Sequence, residues 1–138
     1  MKLAIAEIAT AEGILSGIKL NRIADKGAKA ALLKDYLAVR KVVNEAKNTK
    51  GEIVRKFQED WADELPAVQA FRDKNEPVVG HDDYLEAEKD ANKAIVEVFS
   101  AEVEIDLSPV ESDAIMDFSE DITLEQIAFL QECGIIEE

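Results

Sequence analysis

The chain has 138 residues, 47% of them hydrophobic and 33% charged, and a formal net charge of −14. That composition sustains a buried core and excludes an intrinsically disordered chain. A single cysteine, Cys133, excludes an internal disulfide framework, and no apolar run approaches the roughly 20 residues that a membrane-spanning helix needs.

The acid at Glu7 interrupts the first residues too early for a signal peptide, so the expected location is cytoplasmic. One domain is expected over 1–138. Few aromatics and abundant Ala, Ile, Leu and Val favour helix-on-helix packing, in which small and branched side chains fill the seams.

Residues 4–17 read as a first helix with Ile5, Ile8, Leu15 and Ile18 on or near one face and Gly17 as its stop. Asn21 or Asp25 can cap the next helix. From Leu32 the chain carries its strongest periodic signal: Leu32, Tyr36, Val39, Val43, Ala46, Lys50, Ile53 and Phe57 step alternately by four and three. Asn48-Thr49-Lys50-Gly51 has turn composition, but the phase of the stripe survives across it. The expectation is therefore one long helix from about Asp25 to about Asp73, which Leu65-Pro66 would end or kink.

Asn75–Asp83 reads as a loop, after which Asp82 or Asp83 caps a helix through about Ser100, with Leu85, Ala91, Ile95, Val98 and Phe99 on its apolar side. Ala101–Leu107 alternates, placing Val103, Ile105 and Leu107 opposite Glu102, Glu104 and Asp106, and predicts a strand. Its partner is expected in residues 114–118 or at the N-terminus. Thr123-Leu-Glu-Gln126 is a capping box opening a short last helix, which Gly134 ends before the apolar pair Ile135-Ile136. The fold class is thus mainly α, one long helix packed by shorter ones with a small β element around residues 101–107.

Charge is unevenly spread. Residues 19–56 hold 11 Lys and Arg against four acids, whereas residues 76–138 hold two bases against 19 acids. With Leu32 at heptad position a, Lys26, Lys34, Arg40, Lys41, Lys47 and Arg55 fall on b and c, away from the apolar stripe. A solvated basic face is the leading expectation. Docking against an acidic surface, including the chain's own C-terminal half, comes next. Nucleic-acid binding is disfavoured, because no aromatic interleaves the bases and the net field is negative. The spread carboxylates of the C-terminal half either imitate a phosphate backbone or simply keep the protein dissolved.

Chemistry-bearing constellations are scarce. His81-Asp82-Asp83 invites a metal, but no second histidine or paired cysteine completes a closed site. The stretch from Asp73 departs from a calcium loop at Val78, where glycine is required, and at Tyr84, where glutamate is required. Cys133 has His81 as its only histidine base candidate, and a buried structural thiol is the more frequent role. With no phosphate-binding glycine loop and no nucleophile elbow, no enzyme, cofactor or metal is expected, and no catalytic or ligand-binding residue is assigned.

Leu32-Leu33-Lys34 with Tyr36, then Ala101-Glu-Val-Glu-Ile-Asp-Leu-Ser-Pro109, then Ile122-Thr-Leu-Glu-Gln126 and a Glu-Glu end together resemble an uncharacterised family of small proteins encoded by phages and prophages. The segment from Pro66 to Asp83, with Trp61 and His81 around it, departs from that pattern. The resemblance implies a phage context, and a strand followed by a capped terminal helix that ends in acids. It implies no activity and no site residues. The expected function is a non-enzymatic accessory protein acting by protein–protein interaction, as inhibitor or adaptor of a host protein. A structural or assembly component of the virion is the alternative, and a nucleic-acid-binding accessory a weaker one. A homodimer is expected from the two-per-heptad stripe.

Overall fold

The stripe of residues 32–57 lies on one uninterrupted helix. In the computed structural model, which describes residues 1–116 and 122–137, this helix (α2) spans Lys26–Asp60, and Gly51 lies within it without a turn. Asp25 starts it: its Oδ1 accepts the backbone N–H groups of Gly27 at 2.8 Å and Ala28 at 3.3 Å, filling two of the donors a helix start leaves open.

The helix ends at Asp60 rather than near Asp73. Pro66 supplies the reason: inside a continuous helix its ring would clash with the carbonyl of Ala62, four residues back, and it has no N–H to donate. The chain turns through Trp61–Glu64, where the N–H groups of Glu64 and Leu65 both donate to the Trp61 carbonyl. Pro66 then sits in the first turn of a new helix, α3 (Leu65–Asp73), where its fixed φ suits the backbone.

The chain forms two compact units, Met1–Ala46 with Ser100–Glu138, and Lys47–Phe99, and α2 runs from the first into the second. The first unit holds β1 (Lys2–Ala4), α1 (Ile5–Ser16), a 3₁₀ turn at Leu20–Arg22, the first part of α2, β2 (Glu102–Glu104), a short α5 (Asp113–Met116) and α6 (Leu124–Glu132). Its core gathers Ile8, Ala11 and Leu15 from α1, Leu32, Val39 and Val43 from α2, and Leu130 from α6, with Ile105, Val110, Ile115, Ile135 and Ile136 between them. The first part of the stripe, Leu32 to Val43, thus finds its cover within this unit on residues of its own chain, whereas Ile53 and Phe57 belong to the second unit and are half-buried.

Strand β2 pairs antiparallel with β1, Lys2 opposite Glu104 and Ala4 opposite Glu102. Of the two partners expected for it, the N-terminus is the one used; Ala114–Met116 lie in α5, and residues 117 and 118 lie outside the described residues. The expected alternation holds beyond the strand's three residues: Ile105 is buried and Glu102, Glu104 and Asp106 are exposed.

Thr123 caps α6 reciprocally, its Oγ1 accepting the Gln126 N–H at 3.2 Å while the Gln126 side-chain oxygen accepts the Thr123 N–H at 2.9 Å. Gly134, at φ 79°, reverses the chain after the helix. Ile136 then bridges Val110 in parallel, and both isoleucines of the tail are buried.

The second unit comprises the remainder of α2, α3, and α4 (Asp82–Ser100) as far as Phe99. Tyr84 is its buried centre, its ring 5.2 Å from that of Phe57 and 5.9 Å from that of Trp61 between centroids. Asp82 and Asp83 lie inside the first turn of α4 rather than capping it, where their charge opposes the positive end of the helix dipole. Arg72 of α3 forks onto Glu88 of α4 with contacts of 2.9 and 2.6 Å, which holds the Glu88 carboxyl below its usual range. No helix among the described residues is long and apolar enough to cross a membrane.

Candidate interaction surface

In the first unit, α1 ends because Gly17 turns its N–H back onto the carbonyls of Ile14 and Leu15, and the 3₁₀ turn carries the chain toward α2. This places the end of α1 beside the start of the long helix and leaves a groove of about 190 Å³ between them. Leu15, Ile18 and Leu32 are its buried apolar residues; Leu20 and Tyr36 are half-buried, and Leu33 stands exposed at its edge.

Leu33 is 44% exposed and Leu37, one turn further along α2, is 54% exposed. Residues four apart share a helix face, so these two leucines form one apolar patch continuous with the groove. On the heptad numbering they occupy b and f, positions that the core stripe leaves to solvent. Apolar residues there are a signal in the sequence, but one that the stripe itself overshadows.

Cations flank these residues along the chain. Lys19, Lys34, Arg40 and Lys41 are all exposed. The Arg40 guanidinium lies 6.0 Å from the centroid of the Tyr36 ring, and Lys34 Nζ reaches the Ser108 hydroxyl at 3.5 Å. Of the acids between residues 15 and 44, Asp25 is engaged in capping α2 and Asp35 is buried. The six residues expected on the outer side of the helix, Lys26, Lys34, Arg40, Lys41, Lys47 and Arg55, are indeed exposed, and Arg55 pairs with Glu59 at 3.1 Å on its own helix.

Asp35 is the feature that sequence reasoning misses. By composition it is only one of four acids in a basic segment, yet it is fully buried, at heptad position d beside Leu32 and Val39. Its Oδ1 accepts the Ser108 backbone N–H at 2.7 Å, and its Oδ2 has no hydrogen-bond partner among the described residues. Burial pushes its carboxyl up to about 6, against smaller downward pulls from the Ser108 N–H and Lys34.

The residues weighed for chemistry are placed otherwise. His81 Nδ1 lies 3.1 Å from Glu64 Oε2, and its ring sits against Phe71, so the histidine ties the start of α4 to the start of α3 in the second unit. Among the described residues no group of three His, Cys, Asp or Glu side chains is arranged to hold a metal ion. Cys133 is buried at the end of α6 in the core of the first unit. Burial, with Glu7 and Glu132 adding to it, pushes its thiol up to about 11, so the thiolate that nucleophilic chemistry requires is scarce at neutral pH.

Compared with known proteins, the chain matches no family model, no curated protein and no solved structure.

Proposed function

We propose that the chain is a non-enzymatic accessory protein of a phage or prophage that works in the host cytoplasm by binding another protein, as its inhibitor or adaptor. The observation that supports this reading is the apolar patch of Leu33 and Leu37 running into the groove beside Leu20 and Tyr36. Exposed leucines at adjacent turns of a helix present apolar surface that a binding partner would remove from water, at roughly 25 cal/mol per Å². A patch beside a preformed groove also confines a partner more tightly than scattered apolar residues do.

Site-specific crosslinking tests the reading. A benzophenone amino acid at position 37, in bacterial cells expressing the chain, is expected to trap a discrete protein that mass spectrometry identifies. That protein, once purified, should bind the wild-type chain and not Leu33→Asp. The same probe at exposed position 93 should trap nothing of the kind. Equal trapping at both positions, or none at 37, would overturn the proposal. Recovery of the chain as a fixed component of purified virions would replace it with the structural alternative.

A further inference from the structure

Resting on the interaction reading above, we infer that the occupant of this groove is an acidic amphipathic helix from a different protein, which seats apolar residues against Leu20, Leu33 and Leu37 and sets its carboxylates against the flanking cations. Two observations select this occupant. The centre of the surface is aliphatic, and an apolar groove beside a helix is matched by one face of a second helix, with anchors at i, i+3 or i+4, and i+7. Cations predominate next to the two leucines on the helix: Lys34, Arg40 and Lys41 lie within one turn of Leu33 or Leu37 and are exposed, Asp35 between them is buried, and Glu45 is the next exposed acid along α2.

A second copy of the chain fits this surface less well. A two-fold interface would apply the patch to itself and bring Lys34, Arg40 and Lys41 of one protomer against the same residues of the other. Like charges brought together at an interface oppose association, whereas an acidic partner converts the same cations into attraction and faster encounter. Nucleic acid supplies the negative charge, but it has no aliphatic face to cover the two leucines.

Selection from a displayed library of helix-forming peptides, randomised for both charge and apolar positions, tests the inference. The full-length chain is the bait and its Leu33→Asp/Leu37→Asp variant the counter-selection. Enriched sequences are expected to be net acidic, with leucine-like residues at i, i+4 spacing on one face. For the best of them, measured by fluorescence anisotropy, Arg40→Glu with Lys41→Glu should weaken binding by about tenfold or more, and so should raising salt from about 50 to about 500 mM.

Circular dichroism of each variant separates loss of the surface from loss of the fold. Enrichment of neutral or basic peptides, no enrichment, concentration-dependent dimerisation through the same leucines, or nucleic acid competing for the site at about 150 mM salt would each overturn the inference. The crosslinking experiment is independent of this one. A partner trapped at position 37 whose contacting segment is not acidic would leave the interaction reading standing and remove only its acidic occupant.

Discussion

Asp35 on α2 holds the chain at Ser108 through one carboxylate oxygen, 2.7 Å from the Ser108 backbone nitrogen, while its other oxygen is buried without a partner among the described residues. The contact joins positions 73 residues apart and fixes the segment after β2 against the long helix. A carboxylate half-satisfied in this way favours its neutral form, because desolvation disfavours the charge more than one hydrogen bond and Lys34 restore it.

Stability should therefore depend on pH, with a definite sign. Folding raises the Asp35 pKa from the usual 3.8 to about 6, so the folded chain binds this proton more tightly than the unfolded chain. The resulting stabilisation is complete below about pH 4, declines as pH rises, and is lost above about pH 6; its full size is about 3 kcal/mol. Urea unfolding at pH 5 and pH 7 should show the wild type gaining more on acidification than Asp35→Asn, which has no proton to bind. An equal gain in both proteins would remove Asp35 as the cause.

The apolar stripe is not uniform along α2, and its two ends should respond differently to truncation. Leu32 is buried in the core of the first unit, so Leu32→Ala should cost about 2–5 kcal/mol in denaturant unfolding. Ile53 is half-buried, and Ile53→Ala should cost nearer to about 1 kcal/mol. Equal losses at the two positions would contradict the burial described.

Two glycines should respond in opposite directions to alanine. A Cβ at Gly51 meets nothing within 4 Å and removes a helix-weakening residue, so Gly51→Ala should stabilise by about 1 kcal/mol. At Gly134 the backbone φ of 79° disfavours any side chain, and a Cβ there would come within 2.9 Å of the Met1 side chain. Gly134→Ala should therefore cost about 1–3 kcal/mol, read as a drop in melting temperature.

Cys133 should report on unfolding rather than on chemistry. Buried, and with its thiol pushed up to about 11, it should react with iodoacetamide at about pH 7.5 only as fast as the first unit opens. Mass spectrometry in increasing urea should show alkylation tracking the loss of helical signal. Rapid alkylation of the folded chain would mark an accessible, activated thiol instead.

Local rules carry much of the fold. The phase of Leu32 to Phe57 determines a continuous helix because one helical face repeats every three to four residues, and Gly51 cannot break what that face buries. Asp25, Thr123 and Gly134 act on backbone groups within a few residues of themselves, so the two helix starts and the last chain reversal are visible without the rest of the chain. Extending α2 to Asp73 misplaces its end; of the two effects expected at Leu65-Pro66, an end or a kink, the structure shows an end, because the proline's steric demand on Ala62 stops one helix and its fixed φ starts another.

What only the tertiary structure decided is which surfaces are covered. Sequence leaves β2 two partners, and pairing with Lys2–Ala4 depends on bringing together residues about a hundred positions apart. Asp35 belongs by composition with the exposed charges; it is buried because Ser108 arrives from elsewhere in the chain and donates to it. Leu33 and Leu37 are as apolar as Leu32 but lie off the stripe, at b and f, and they remain exposed because the end of α1 and the turn after it reach one side of the long helix and stop short of the other. Helix periodicity and capping are set by neighbours in the chain, whereas burial is set by whatever distant segments supply the opposing face.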